Sequence, residues 1–196
     1  MQYITSQFAN PRGFVGFITG TIMAYENRER NRWAISLLEL QRTDHVLELG
    51  FGPGSAIEQM AQCVTSGHVV GVDTSETMVQ LASRRNATLI RAGRVELRQG
   101  SATAIPYPNT TFDKVLAVNS FQIWRDSLAG LEEIKRVLKP HGLVVITIQP
   151  VWDKSEAFAR RTGDELLAKL SQAGFRNVHL KTKALKPMVV SGIGVR

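Results

Sequence analysis

Cysteine is nearly absent: Cys63 stands alone in 196 residues. An intramolecular disulfide and a cysteine-based zinc knuckle are thereby excluded, and an intracellular, cytoplasmic setting is expected. Cys63 lies in an apolar stretch, so it is expected to be a buried thiol acting as a small hydrophobe. Long hydrophobic runs are missing too. The most apolar early stretch, Phe14 to Tyr25, contains Gly16 and Gly20 and falls short of the roughly 20 residues that a bilayer span takes. No basic region, apolar core and small-residue cleavage site follow one another at the N-terminus. A transmembrane segment is therefore not expected, and peripheral contact with a membrane surface or a greasy substrate is the most this stretch allows. His45, His68 and His179 have no metal-ligand spacing, so no metal is implied. No basic stretch is interleaved with aromatics as a single-strand nucleic-acid platform would be. Internal repeats and low-complexity tracts are also lacking.

What is present fits one globular domain. The chain is 43% hydrophobic, and neither a polar linker nor a composition shift divides it. Residues 1–196 are expected to form a single domain, with 1–41 as a small N-terminal helical lid. The formal charge is +7, spread among 17 acidic residues. Its densest groups are Arg28, Arg30 and Arg32, then Arg84, Arg85, Arg91, Arg94 and Arg98; both read as solvated helix faces.

Periodicity sets the order of elements. Asn10-Pro11 reads as an N-cap and first-turn proline. From about Asn27 to Leu40 a helix is expected, with Trp33, Leu37 and Leu40 on one face and Ala34 and Leu38 beside it. Strand and helix then alternate. Strands are expected at His45–Leu49, His68–Val72, Val95–Arg98, Phe112–Val118 and Leu143–Ile148, and helices at Ser55–Cys63, from Thr74-Ser75-Glu76 onward, at Leu128–Leu138 and at Asp164–Gln172. Gly174 stops the last of these. Two extended segments, Val178–Leu185 and Met188–Val195, meet at a turn near Lys186-Pro187 and would add an antiparallel member. Such alternation predicts a doubly wound, mostly parallel sheet with helices on both faces and ligands beyond the carboxyl ends of the strands.

The informative residues fall there. Gly50, Gly52 and Gly54 follow the first strand, where glycine lets a ligand approach the main chain closely. About 19 residues later Asp73 ends the second strand, where an acid can accept hydrogen bonds from both ribose hydroxyls. A dinucleotide fingerprint wants glycine at the first, third and sixth positions. Here the third glycine comes fifth, Ser55 stands sixth, and Pro53 removes an amide that a pyrophosphate would use. Glu48 adds negative charge, which suits a sulfonium and an amino group better than a pyrophosphate. These features favour S-adenosylmethionine over NAD.

The segments VLELGFGPG, VVGVDTSETMVQLA, RQGSATAIPYPNTTFDKVLAVNS and EIKRVLKPHGLVVI, in this order, make the chain resemble class I S-adenosylmethionine-dependent methyltransferases of the small-molecule type, similar to the ubiquinone and menaquinone C-methyltransferases. The resemblance runs from about Asp44 to Gly174 and implies a Rossmann-like, seven-stranded sheet with the last strand antiparallel. It implies that the glycine turn holds the methionine part, Asp73 the ribose, and Thr74 and Met78 the faces of the adenine. Ser101 and Ala102 match the positions that meet the adenine edge, and Asn119 ends the fourth strand beneath the methionine moiety. Three positions depart from the family pattern. Ser101 replaces a usual acid, His141 a common glycine, and Gln122 a frequent histidine.

Methyl transfer needs a base only if the acceptor must lose a proton. Gln122 and Trp124, after the fourth strand, and Tyr25 with Asn27, in the lid, are the weak catalytic candidates; Trp124 reads equally as ordinary packing. Arg125-Asp126 is expected at the surface, capping the next helix. The loop lacks the Asn-Pro-Pro-Tyr type of motif of nucleic-acid amino-methyltransferases, so nucleic acid is disfavoured as acceptor. An apolar lid of Phe14, Phe17, Ile18, Ile22, Met23 and Tyr25 favours a small, hydrophobic organic acceptor, although the same residues would also serve simply to cover the sheet. Two other readings compete: a catalytically silent module that binds adenosylmethionine or adenosylhomocysteine, and an NAD-linked oxidoreductase.

Overall fold

The computed structural model describes residues 28–150 and 153–196. The expected Asn10-Pro11 helix start, the apolar lid residues and Tyr25 lie outside the described residues.

Seven strands form one sheet in the order β3-β2-β1-β4-β5-β7-β6. They are β1 (His45–Leu49), β2 (His68–Asp73), β3 (Val95–Gln99), β4 (Phe112–Val118), β5 (Leu138–Ile148), β6 (Arg176–Lys183) and β7 (Val189–Val195). β1 to β5 pair in parallel, and β7 inserts antiparallel between β5 and β6. The sheet is therefore the doubly wound, mostly parallel one expected, with its last strand reversed. The order turns around between β1 and β4, so the switch point lies at their carboxyl ends.

Among the described residues the helices are α1 (Arg28–Ser36), α2 (Ser55–Cys63), α3 (Glu76–Arg85), α4 (Ala87–Arg91), α5 (Ser127–Val137) and α6 (Glu156–Gln172). Side chains alternate across the strands and feed two cores. Val46, Val69, Leu116 and Val145 pack with Ala34 and Ile35 of α1, Leu38 just beyond it, Ile57 and Met60 of α2, and Met78 and Ala82 of α3. Leu47, Leu49, Val115 and Ile146 face the other way, against Leu131 and Ile134 of α5 and Leu166 and Leu170 of α6. Each large buried side chain contributes about 1.5–3 kcal/mol. α5 starts at Asp126, whose carboxylate accepts from the Ala129 amide at 3.0 Å. That is the capping role expected of it.

Several expectations need correcting. α1 ends at Ser36 rather than near Leu40, and its buried residues are Arg30, Asn31, Ala34 and Ile35, not a face centred on Trp33. The helix is rotated so that two polar side chains point inward, because the site lies beneath them. α6 starts at Glu156, two turns before Asp164, because the Ser155 hydroxyl caps it by accepting from the Phe158 amide at 3.2 Å. Its Gly163 sits mid-helix because a Cβ there would lie 2.8 Å from Leu180. β5 begins at Leu138, so His141 lies within it rather than in a preceding turn. With φ 64 His141 holds the left-handed backbone for which glycine is the easier choice. Cys63 is exposed, since it ends α2 on the outer side and the next residue, Val64, takes the buried position.

Candidate active site

The loop after β1 is shaped by two glycines. Gly50 holds φ 72, and a Cβ on it would fall 2.3 Å from that of Ser120. The Ser120 hydroxyl donates to the Leu49 carbonyl at 2.6 Å, which stitches the ends of β1 and β4 together at the switch point. Gly54 holds φ 77 and lies against α3, where a Cβ would come within 2.6 Å of Ala82. Its carbonyl accepts from the buried Asn86 amide at 3.2 Å. Between these two packed glycines Gly52 faces open space: a Cβ on it would meet nothing within 4 Å.

Asp73 closes the ring. Its Oδ2 accepts from the Gly52 amide and its Oδ1 from the Ser75 amide, both at 2.9 Å. One carboxylate thus ties the glycine turn to the start of α3, where the Ser75 hydroxyl caps the helix. A carboxylate offers about four acceptor directions, so capacity remains for ligand hydroxyls. Burial pushes the Asp73 carboxyl above the usual carboxylate range, and the amides of Ser75, Gly52 and Thr74 oppose that shift. Glu48 is more extreme. It is 2% exposed, and its Oε2 has no hydrogen-bond partner. Burial first, and then the nearby Asp73 charge, push its carboxyl well above the usual range. Two buried acids side by side carry an unfavourable potential that a cationic ligand relieves.

A cleft of about 730 Å³ opens outside these strand ends. That lies within the roughly 300–1,000 Å³ typical of small-molecule sites. Of the expected cofactor residues, Glu48, Gly50, Gly52, Asp73, Thr74, Met78, Ser101, Ala102 and Asn119 all line it. Gly54 stands behind the wall, as support. The Ser101 hydroxyl is engaged within its own loop, with the Thr103 amide at 3.2 Å and the Thr103 hydroxyl at 2.9 Å. Asn119, at φ 52, uses its Oδ1 to accept from the Gln149 amide at 2.7 Å, so it shapes the end of β4.

The catalytic candidates divide. Trp124 lines the cleft and stacks edge-on against Phe121, centroids 5.1 Å apart. Gln122 is exposed in the short 3-10 turn Phe121–Ile123 and is not part of the cleft wall, where Ile123, Trp124 and Arg125 stand instead. Tyr25 lies outside the described residues. Arg30 and Asn31 also line the cleft. Sequence reasoning missed them by placing Arg30 on a solvated face, although its spacing of four to Ala34 and eight to Leu38 puts it on the buried one. Among the described residues no cluster of three or more His, Cys, Asp or Glu could hold a metal ion.

Residues 46–142 match the methyltransferase domain family model. Over 171 residues the chain is 40% identical to the uncharacterized methyltransferase YdaC of Bacillus subtilis, covering 87% of this chain and 92% of that one. The chain belongs to the S-adenosylmethionine-dependent methyltransferases. This methyltransferase is also 36% identical over 121 residues to the ubiquinone/menaquinone biosynthesis C-methyltransferase UbiE of Geobacter sulfurreducens, a match spanning 61% of this chain and 47% of that one. Its fold resembles the crystal structure of a SAM-dependent methyltransferase from Aquifex aeolicus, at a TM-score of 0.69 and 22% identity, over 84% of this chain and 88% of that one.

The residues present fit that cofactor. The orphaned Glu48 oxygen calls for a cation or an amino group, and the open space at Gly52 leaves room for a ligand against the main chain. The competing readings, NAD-linked redox chemistry and a silent binding module, are not favoured by these relatives. Among the described residues no helix is long and apolar enough to cross a membrane.

Proposed function

We propose that this methyltransferase acts on a small organic acceptor with an apolar part, received at the mouth of the cleft beside Ile123 and Trp124. The observation that carries the reading is Ile123. It is 49% exposed, the one large hydrophobic side chain so exposed among the described residues, and it sits on the cleft wall next to an aromatic ring. An exposed aliphatic group beside an indole offers an apolar surface to a flat or aliphatic molecule, and burying it on binding is favourable.

Bound S-adenosylmethionine supplies an electrophilic methyl group on a sulfonium. The chain's own share is binding, orientation and exclusion of water. In this reading the glycine turn and Glu48 hold the methionine part, Asp73 accepts from the ribose hydroxyls, and Thr74, Met78, Ser101 and Ala102 surround the adenine. Asn119 shapes the floor between donor and acceptor. Good alignment of two reactants contributes up to about 7–11 kcal/mol, enough to carry most of the catalysis without a base. The exposed position of Gln122 supports a mechanism of that kind, in which an acceptor that is already nucleophilic is positioned rather than deprotonated. Residues 1–41 are proposed to close over the cleft as a lid, a reading supported by Arg30 and Asn31 of α1, which already line it.

Methyl-labelled adenosylmethionine, incubated with a cell-extract metabolite pool, tests this. Label is expected in the organic-soluble small-molecule fraction, and Asp73→Ala is expected to lower it about tenfold or more at sub-saturating donor. Label confined to protein or nucleic acid would count against a small-molecule acceptor.

A further inference from the structure

Arg30 is unusual among the basic residues of this chain. Its side chain is 5% exposed, it lines the cleft, and it pairs with no carboxylate among the described residues. Its Nη1 donates to the Gln149 side-chain oxygen at 2.9 Å, and its Nε has no partner. Gln149 is itself clamped: its amide donates to Asn119 at 2.7 Å and its side-chain nitrogen to the Pro187 carbonyl at 2.8 Å. The guanidinium is therefore held from one edge, by a neutral acceptor, while its Nε is buried without a partner. A structural arginine here looks different. Arg136 meets the Glu133 carboxylate, the Tyr107 and Ile105 carbonyls and Asn109.

A buried guanidinium without a counter-charge is costly to the empty fold, and burial pulls its pKa down to about 10. Such a group persists where something else compensates it. Its planar fork matches a carboxylate bidentately. The cleft also carries Glu48, an orphaned acid suited to an amino group, so its charges are complementary to a zwitterion or an organic acid.

We propose that Arg30 is the anion-recognising residue of the cleft, receiving a carboxylate where it lines the wall, with Gln149 as its positioning residue. Two sources carry that chemistry, the amino-acid end of the methyl donor and an acidic acceptor. The proposal rests on the methyltransferase reading and adds a ligand group that Arg30 selects.

Calorimetric titration of the full chain separates the sources. The first arm compares adenosylmethionine with its decarboxylated analogue, which differs only in the carboxylate. If the donor is the source, wild type prefers the intact form by about tenfold or more, and Arg30→Gln removes the preference while Arg30→Lys keeps part of it. The second arm titrates benzoate, a small carboxylate probe, into protein saturated with S-adenosylhomocysteine. If the acceptor is the source, wild type binds benzoate and Arg30→Gln binds it at least about tenfold more weakly. Thermal unfolding without ligand adds an independent readout: Arg30→Gln is expected to melt no lower than wild type, since it removes an uncompensated buried charge. An Arg30→Gln chain that melts clearly lower, or one whose ligand preferences match wild type in both arms, would overturn the proposal. Absence of adenosylmethionine binding by wild type would instead contradict the cofactor reading, and the benzoate arm, run without adenosylhomocysteine, would still decide Arg30.

Discussion

At the scale of single residues the site is a place where stability is spent. Glu48 is buried with an orphaned oxygen beside Asp73, and its carboxyl titrates well above the usual range. A carboxyl raised in the fold relative to the unfolded chain favours folding while protonated. That contribution is fully present below about pH 4 and is lost as pH rises through the raised value. Glu48→Gln should therefore match wild type in stability at acid pH and exceed it near neutrality, while binding the cationic donor more weakly. Urea unfolding at the two pH values, with parallel titrations of adenosylmethionine, checks both signs; a variant less stable than wild type near neutrality would contradict the account. Gly50→Ala tests the turn from the other side. With φ 72 and a Cβ falling 2.3 Å from that of Ser120, alanine should cost about 1–3 kcal/mol, read as a lower urea midpoint at unchanged slope.

Elements place these residues, and here the limits of sequence reading can be stated physically. The alternation that places β1 to β5, and the caps Ser75, Asp126 and Gly174, act within a few residues of one another, so local pattern reveals them. The inward face of α1 does not work that way. Arg30 and Asn31 look solvated by residue type, and only the cleft beneath makes burying them sensible; Asn31 donates to the Ser55 hydroxyl at 2.9 Å, across to α2. The first two turns of α6 were hidden by Gly163, a poor helix former kept for its contact with Leu180 on β6. Distant packing overrode local propensity in both cases. If the acceptor is received beside Trp124 as proposed, α5 is the element that bears on its choice. A Cβ on Gly130 would come within 2.7 Å of the Trp124 ring, so Gly130→Ala should shift the indole at the cleft mouth. The expected outcome is a raised KM for the acceptor with adenosylhomocysteine affinity unchanged, measured by steady-state kinetics and calorimetry. Equal loss of both would mean that the substitution disturbs the whole fold.

The molecule as a whole is a sheet whose order reverses between β1 and β4, and all the residues expected to meet the cofactor except Gly54 line one cleft at that end. The place of this cleft was legible beforehand, because a glycine turn after one strand and an acid after the next are fixed by chain order on this topology. Glycine spacing, Pro53 and Glu48 together favoured adenosylmethionine over a dinucleotide, since the first two remove what a pyrophosphate needs and the third adds negative charge. The rest of the cleft wall was less legible, because it comes from α1, the turn after β4 and residues whose chemistry depends on what they face. The central claim is that this cleft binds the methyl donor through the glycine turn and Asp73. Calorimetric titration of S-adenosylhomocysteine into wild type and Asp73→Ala tests it most directly. The account predicts saturable binding by wild type, weakened about tenfold or more by the substitution, which removes a charged acceptor of two ribose hydroxyls. No binding by wild type at millimolar ligand, or equal binding by both proteins, would contradict it.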